Sequence, residues 1–434
     1  MQLLLAALLC TLPAFTAAAE PFTLEQAIDF ALKKSPDAII AEQRIAAAAA
    51  GIEQARAAFL PQLGVQSSYM RTDNPTNVFM AAINQRAYSQ SLDFNNVPDA
   101  DNLNLKGLVK IPLYAGGRNV AGYDAAKALQ RSAEHDAAAV QNALAYQVAY
   151  VFLTVLKTRE FLKAASAAVK SYENNLSIAR RRLAGGTALQ TEVLDVEVRL
   201  AQAQEEAIRA ANAQALALRT LRAVMGWEGS GGFDIVGGNP RLEEPPAAEP
   251  AQRPELASAR RISEAAAARL KQAAGGYLPR ISAYSSIDYD KGWEFEGDGT
   301  SYTAGAMAEW DVFDGFMTRA RVREAQAGVT SAGEQLRKLR IGVALEQEQA
   351  RLNLQEARER LRVTQAAVRQ AEESAKLTRV RFEQGLALST QLIDAETALT
   401  AARVRKAEAD ADQLIALAAL RKAIGLSIIG GNGK

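Results

Sequence analysis

Two related stretches decide the fold: Arg182-Leu-Ala-Gly-Gly-Thr-Ala-Leu-Gln-Thr-Glu-Val-Leu-Asp195 and Arg381-Phe-Glu-Gln-Gly-Leu-Ala-Leu-Ser-Thr-Gln-Leu-Ile-Asp394. Each position of the second stretch lies 199 residues after its counterpart in the first. Both lie between long, Ala-rich runs without proline, which is typical of the bend of a helical hairpin. Glycine just past a helix end supplies a left-handed stop, and a threonine before the next run is expected to cap its start. The self-match indicates a tandem repeat.

A heptad seam follows each bend. After the first bend, mostly apolar and small residues recur at alternating spacings of four and three, from Leu189 to Val224. The same register continues after the second bend, from Leu388 to Ala423, and the polar interruption Gln214 recurs as Gln413. This pattern predicts long helices paired as in a coiled coil.

Composition excludes several classes of protein. The 434 residues carry 50 basic and 49 acidic side chains, so there is no basic footprint for nucleic acid. A single cysteine, Cys10, and a single histidine, His135, form neither a disulfide nor a zinc site. No P-loop, dinucleotide or Ser/His/Asp motif occurs in its required context. We therefore predict no enzymatic activity, no metal and no cofactor.

The N-terminus predicts export. Residues 1–19 are uncharged and Leu/Ala-rich, and they end in three alanines, as a signal peptide cleaved before Glu20 would. A retained N-terminal anchor is the alternative. After Ala19 we expect no uncharged apolar run of the ~18 residues that a membrane-spanning helix needs. An exported protein of this kind would enter a membrane as strands.

Each repeat is expected to hold a helix, two strands and a long helical hairpin. Repeat 1 covers 20–225, with a helix over 22–58, strands over 62–70 and 103–113, a long loop over 71–102, and a bend over 183–190. A Gly/Pro-rich linker covers 226–253. Repeat 2 covers 254–425, with strands over 280–289 and 301–313 and a bend over 382–389, and 426–434 form a tail.

The strands alternate between polar and apolar residues, which gives each of them two unlike faces. The polar positions are Asn104, Lys106, Lys110, Ser282, Ser286, Asp288, Ser301, Thr303 and Glu309. Strands in lipid must close into a barrel, and four are too few for one chain to do so alone. Two chains would supply eight strands and three would supply twelve. A soluble sheet with one buried face is the alternative.

Several ordered motifs resemble those of TolC-type outer-membrane efflux proteins. They are Ile111-Pro-Leu-Tyr-Ala-Gly-Gly-Arg118, its partner Trp310-Asp-Val-Phe-Asp-Gly315, the doubled Phe/Tyr-Leu-Pro ending at Pro61 and Pro279, and the doubled bend. The resemblance implies a mainly α fold with membrane β structure. In that fold, long antiparallel hairpins form a periplasmic α-barrel, and four strands per chain join a trimeric twelve-stranded β-barrel in the outer membrane.

The resemblance also implies a function. The chain would be the exit duct of a tripartite efflux pump or a type I secretion system. Its partners would be a periplasmic adaptor and an inner-membrane transporter of RND, ABC or MFS type. A periplasmic coiled-coil adaptor or scaffold is the alternative.

Three sets of site residues follow from the resemblance. Adaptor docking at the bends is implied for Arg182, Gly186, Thr191, Arg381, Gly385 and Thr390. Constriction of the periplasmic mouth is implied for Glu192, Asp195, Gln391 and Asp394. Junctions between barrel and helices are implied at Pro61, Pro112, Gly116, Gly117, Pro279 and Gly315. As alternatives, the bend glycines are simple helix stops and the acids complement the helix dipole.

Overall fold

The computed structural model describes residues 21–93, 95–229, 233–245 and 253–429. The predicted signal peptide, with Cys10, and the end of the predicted tail lie outside these residues. The helices are α1 (Leu24–Lys34), α2 (Pro36–Ala57), α3 (Pro75–Asn84), α4 (Arg118–Ala184), α5 (Gln190–Met225), α6 (Pro254–Ala274), α7 (Met317–Glu383) and α8 (Ser389–Ile424). The strands are β1 (Gln62–Thr72), β2 (Ala100–Tyr114), β3 (Arg280–Lys291) and β4 (Asp298–Glu309).

The chain divides into two compact units. Within the described residues, the hairpin unit lies in 21–41, 138–253 and 342–429, and the strand unit lies in 42–137 and 254–341. In the hairpin unit, the prediction of a heptad seam is confirmed. Every heptad position of α5 and α8 that follows the first position of its series is buried or half-buried. The first positions, Leu189 and Leu388, are exposed.

One sequence expectation about membrane spans is wrong. The uncharged run 137–156 of α4 lies in a helix that is long and apolar enough, by length and composition, to cross a membrane. In the hairpin unit this part of α4 is a core segment, since Val148, Phe152 and Val155 are almost fully buried. They pack in one cluster with residues of α1, α5 and α8. Burial among helices therefore accounts for the apolar character of this run.

The strand unit contains one antiparallel sheet in the order β1-β2-β3-β4. Across the sheet, Gln66 stands opposite Lys106, then Asp288, then Ser301, whereas the next row joins Val65, Gly107, Ile287 and Tyr302. The sheet thus has one polar and one apolar face, as the alternation predicts. Val65 and Tyr302 on the apolar face are 87% and 81% exposed. β1 and β4 are its two edges.

Two helix expectations are corrected. The helix expected over 22–58 is two helices, because Pro36 has no N–H to donate and Ser35 adopts an extended backbone. The loop expected over 71–102 contains α3. Asn74 caps α3 by accepting from the Thr76 amide at 3.1 Å, and Pro75 occupies its first turn, where a missing N–H costs nothing.

Two strand ends also differ from expectation. β4 ends at Glu309, so Trp310 and Val312 lie outside the strand. In β2, the pairing with β3 shifts between Pro112 and Tyr114. Tyr114, rather than Leu113, therefore continues the apolar face, because an extra residue at a bulge turns the following side chains over.

Candidate functional site

The first bend joins α4 to α5 through a Schellman-type stop. Gly186 adopts a left-handed conformation with φ of 71°. Its amide donates to the Leu183 carbonyl at 3.0 Å, and the amide of Thr187 donates to the Arg182 carbonyl at 2.8 Å. These bonds satisfy carbonyls that have no partner within the helix.

The second bend repeats this geometry between α7 and α8. Gly385 has φ of 76°. Its amide donates to Phe382 at 3.1 Å, and the Leu386 amide donates to Arg381 at 2.8 Å. A side chain at either glycine would be strained by the positive φ. The duplication therefore preserves the backbone of the bend as well as its sequence.

The expected threonine caps are absent from both helix starts. Leu189 precedes α5 as its N-cap residue and accepts no side-chain cap bond. The Thr187 hydroxyl instead donates to the Arg182 carbonyl at 3.1 Å, so it closes the preceding helix. Thr191 and Thr390 lie inside the first turns of their helices and are exposed. At α8 the Gln391 side chain accepts from the N-cap amide at 3.2 Å.

Arg182 reaches from the first bend to the second. Its guanidinium carbon lies 4.6 Å from the centroid of the Phe382 ring, which is fully buried. Nη2 donates to the Thr187 carbonyl at 3.0 Å, and a Cβ added at Gly385 would lie 3.8 Å from it. The counterpart, Arg381, is exposed. The two arginines that the repeat makes equivalent therefore differ in environment.

The four predicted constriction residues also differ from one another. The Asp195 carboxylate accepts from the Ser389 hydroxyl at 3.4 Å, which links the start of α5 to the start of α8. Glu192 is half-buried, and its Oε2 has no hydrogen-bond partner among the described residues. Gln391 is exposed and caps α8, whereas Asp394 is exposed beside that cap.

The two hairpins pack together behind the bends. One apolar cluster joins Leu176 and Val196 of the first hairpin to Phe382, Leu392 and Ile393 of the second. Val196 and Leu392 are fully buried. Full burial of a large apolar side chain contributes about 1.5–3 kcal/mol to the stability of the fold. The cluster holds the two bends next to each other.

A polar contact lies within the same packing. The Tyr172 hydroxyl is 3.1 Å from the Thr397 hydroxyl, across the two hairpins. Burial raises the pKa of the Tyr172 phenol, although the hydrogen bond to Thr397 opposes the shift. The phenol therefore remains protonated and able to donate at neutral pH.

Sequence reasoning missed a duplicated ion pair. Arg379 pairs with Glu396, which is only 3% exposed, and donates to the Ser171 hydroxyl at 2.8 Å. Shifted back by 199 residues, the same pair is Arg180 with Glu197 at 2.7 Å, and it lies at the surface. Applying the repeat offset to charged residues would have found both pairs. Their different burial could not be read from the offset.

The predicted junction residues lie where strands meet helices in the strand unit. Pro61 and Pro279 immediately precede β1 and β3. Gly116 has φ of 64°, and a Cβ there would come within 2.4 Å of the Gly275 carbonyl oxygen, so the backbones approach closely. The remaining residues are Pro112 at the shift in β2, Gly117 with φ of 75° and Gly315 with φ of 65°.

Asp314 stabilises the start of α7. Its carboxylate accepts from the Thr318 amide at 2.7 Å. The hydrogen bonds to Thr318 hold the pKa of Asp314 below its ordinary value. A carboxylate at this position also complements the positive end of the helix dipole.

In the part of the chain that the structure describes, no group of three or more His, Cys, Asp or Glu side chains is placed to hold a metal ion.

Comparison with known proteins gives a consistent match. The family described as outer membrane efflux protein matches residues 27–227 and 248–426. The alkaline protease secretion protein AprF of Pseudomonas aeruginosa is 25% identical over 295 residues, covering 64% of this chain and 60% of AprF. The fusaric acid resistance protein FusA of Burkholderia cepacia is 25% identical over 317 residues, covering 69% of this chain and 57% of FusA. The chain thus spans about three fifths of these two relatives.

A solved structure shares the fold. It is the crystal structure of a membrane protein from Pseudomonas aeruginosa, with a TM-score of 0.81 and 21% identity. The match covers 94% of this chain and 92% of that protein. The mainly helical architecture with a small antiparallel sheet is therefore one already seen in a membrane protein.

Proposed function

Because the chain belongs to the outer membrane efflux protein family, we propose that it is the outer-membrane exit duct of a tripartite efflux pump or a type I secretion system. The resemblance to TolC-type proteins agrees with this family. The duct itself is passive: cargo moves through its lumen, and the partner transporter supplies the energy. In this proposal, the helical hairpins form the periplasmic part of the duct, on the side of the partner transporter.

The observation that carries the proposal is the two-faced sheet with two open edges. Its apolar row exposes Val65 and Tyr302 almost completely, which favours contact with lipid. The other face of the sheet carries Lys106 and Asp288, whose charged side chains suit a water-filled lumen. Since β1 and β4 would leave unpaired backbone groups in lipid, the sheet must continue into other copies. A homotrimer gives the twelve strands expected of the family.

The bends are the proposed docking and gating end. Leu386, Leu189 and Leu388 are 74%, 69% and 60% exposed. Exposed apolar side chains grouped at a hairpin tip are typical of a protein contact surface. We assign this surface, with exposed Arg381, to the periplasmic adaptor. Asp394 and the acids of the first bend are the proposed constriction.

The names of the two relatives suggest two classes of cargo, a protein or a small organic acid. AprF is named for secretion of an alkaline protease and FusA for resistance to fusaric acid. A protein cargo requires a type I secretion partner, whereas a small organic acid requires an efflux pump. Copurification with the adaptor and transporter distinguishes the two.

Membrane fractionation tests the proposal. If the protein is an exit duct, we expect a heat-modifiable trimer in the outer-membrane fraction that conducts ions in planar bilayers. A soluble periplasmic monomer would contradict the proposed duct and would favour the alternative, a periplasmic adaptor or scaffold.

A further inference from the structure

The polar face of the sheet is partly covered by α3, the helix in the loop between β1 and β2. β1 begins after α2 and β2 ends before α4, so this loop lies at the opposite end of the sheet from those helices. Val78 and Ala81 of α3 pack against Ala100 of β2. The helix is therefore folded back onto the sheet.

Gln85, directly after α3, fastens this segment. Its side chain is 1% exposed, and its Nε2 donates to the Asp101 carbonyl at 2.7 Å and to the Asn102 Oδ1 at 2.9 Å. Asn102 in turn donates to Asp290 at 2.6 Å on the polar face. The Gln85 Oε1 is buried and has no partner among the described residues.

Two glycines, Gly299 in β4 and Gly292 directly after β3, make room for the segment. A Cβ on Gly299 would lie 2.0 Å from the Asn84 carbonyl oxygen, and a Cβ on Gly292 would lie 2.1 Å from the Gln85 Oε1. Gly299 stands opposite Asp290, so it belongs to the polar face. Arg86 then adopts φ of 55°, which is unusual for arginine, and donates to the Thr300 carbonyl at 3.2 Å. Such a backbone persists only where surrounding contacts hold it.

We propose that α3 and the residues through Arg86 form a lid, latched by Gln85 on the polar face of the sheet, which narrows the outer mouth of the channel. This inference rests on the proposed function, because it takes the polar face as the lumen. An α-helix with its side chains is about 10 Å wide. Barrels of eight strands are filled by side chains and those of sixteen hold a channel. Three lids in a twelve-stranded barrel therefore occupy much of its bore.

Cysteine accessibility tests the latch. Ala82 of α3 is fully buried, so the A82C thiol is protected from a maleimide while the lid is latched. Gly299→Ala places a methyl group against the Asn84 carbonyl and should raise the labelling rate at A82C about tenfold, as the loss of one to two hydrogen bonds would. Gly107→Ala is the matched control, since its nearest neighbour would be 4.0 Å away. Equal rates in the two variants overturn the latch.

A second cysteine tests the narrowing. Gln66 lies exposed on the polar face of β1. Q66C is treated on intact cells with maleimide–polyethylene glycols of increasing size. Gly299→Ala or Gln85→Ala should admit larger polymers than Gly107→Ala does, and an unchanged size limit overturns the lid.

Conductance separates the two proposals. Trimers of each variant are also measured in planar bilayers. If they conduct while the size limit stays fixed, only the lid fails. If purified trimers carry no current, the proposed duct fails with it.

Discussion

The guanidinium of Arg182 lies over the Phe382 ring, 4.6 Å from its centroid, so a side chain of the first bend rests on the second. Its counterpart Arg381 faces solvent. Two bends with the same backbone therefore have unequal side-chain contacts. In the proposed duct, this contact joins the bends of the two hairpins and opposes their separation.

Replacing Arg182 should loosen the bends. Arg182→Ala loses the contact with the ring, worth about 0.5–2 kcal/mol. It also loses the hydrogen bond to Thr187, worth about 1 kcal/mol. We expect a lower melting temperature of the trimer and a larger single-channel conductance. Arg381→Ala is the matched control, with neither quantity changed. Equal effects of both variants would contradict the asymmetry.

The duplicated ion pairs should differ in the same way. Arg379→Ala leaves the buried Glu396 carboxylate without its cation, which costs about 3 kcal/mol. Arg180→Ala removes a surface pair with Glu197, worth about 0–1 kcal/mol. Thermal unfolding followed by circular dichroism measures both. A loss of similar size in the two variants would show that burial of Glu396 does not matter.

Much of the fold could be predicted from local sequence signals. The repeat offset located both bends, because a left-handed stop after a helix requires Gly186 and Gly385. Period-two alternation located the strands and their faces. Pro36 and Asn74-Pro75 were local signals too, and they account for the helix break and for α3, which the broader patterns concealed.

The contacts at the bends could not be predicted in this way. Leu183 and Phe382 occupy equivalent positions, and only the aromatic ring offers a face to an arginine. Whether Arg182 reaches that ring depends on how the hairpins pack. The same packing decides that Glu396 is buried while Glu197 stays at the surface. These differences arise from tertiary structure.

The two faces of β1 should respond oppositely to charge. Val65→Arg places a guanidinium on the apolar face, which costs about 2–4 kcal/mol near the middle of a bilayer. Gln66→Arg, one residue further, places it on the polar face at little cost. We expect the first variant to lose trimer from the outer-membrane fraction and the second to retain it. Equal amounts of both trimers would show that the apolar face does not contact lipid.

Asp394 should determine ion selectivity at the bends. Asp394→Ala removes an exposed charge from the proposed constriction, so the preference for cations in planar bilayers should fall severalfold. Gln391→Glu should raise it, because a carboxylate keeps the cap on the Leu388 amide, suits the helix start and adds a second charge. Glu383→Ala, an exposed acid at the end of α7, is the control and should change nothing. Unchanged conductance and selectivity in Asp394→Ala would place the constriction elsewhere, whatever the trimer's stability.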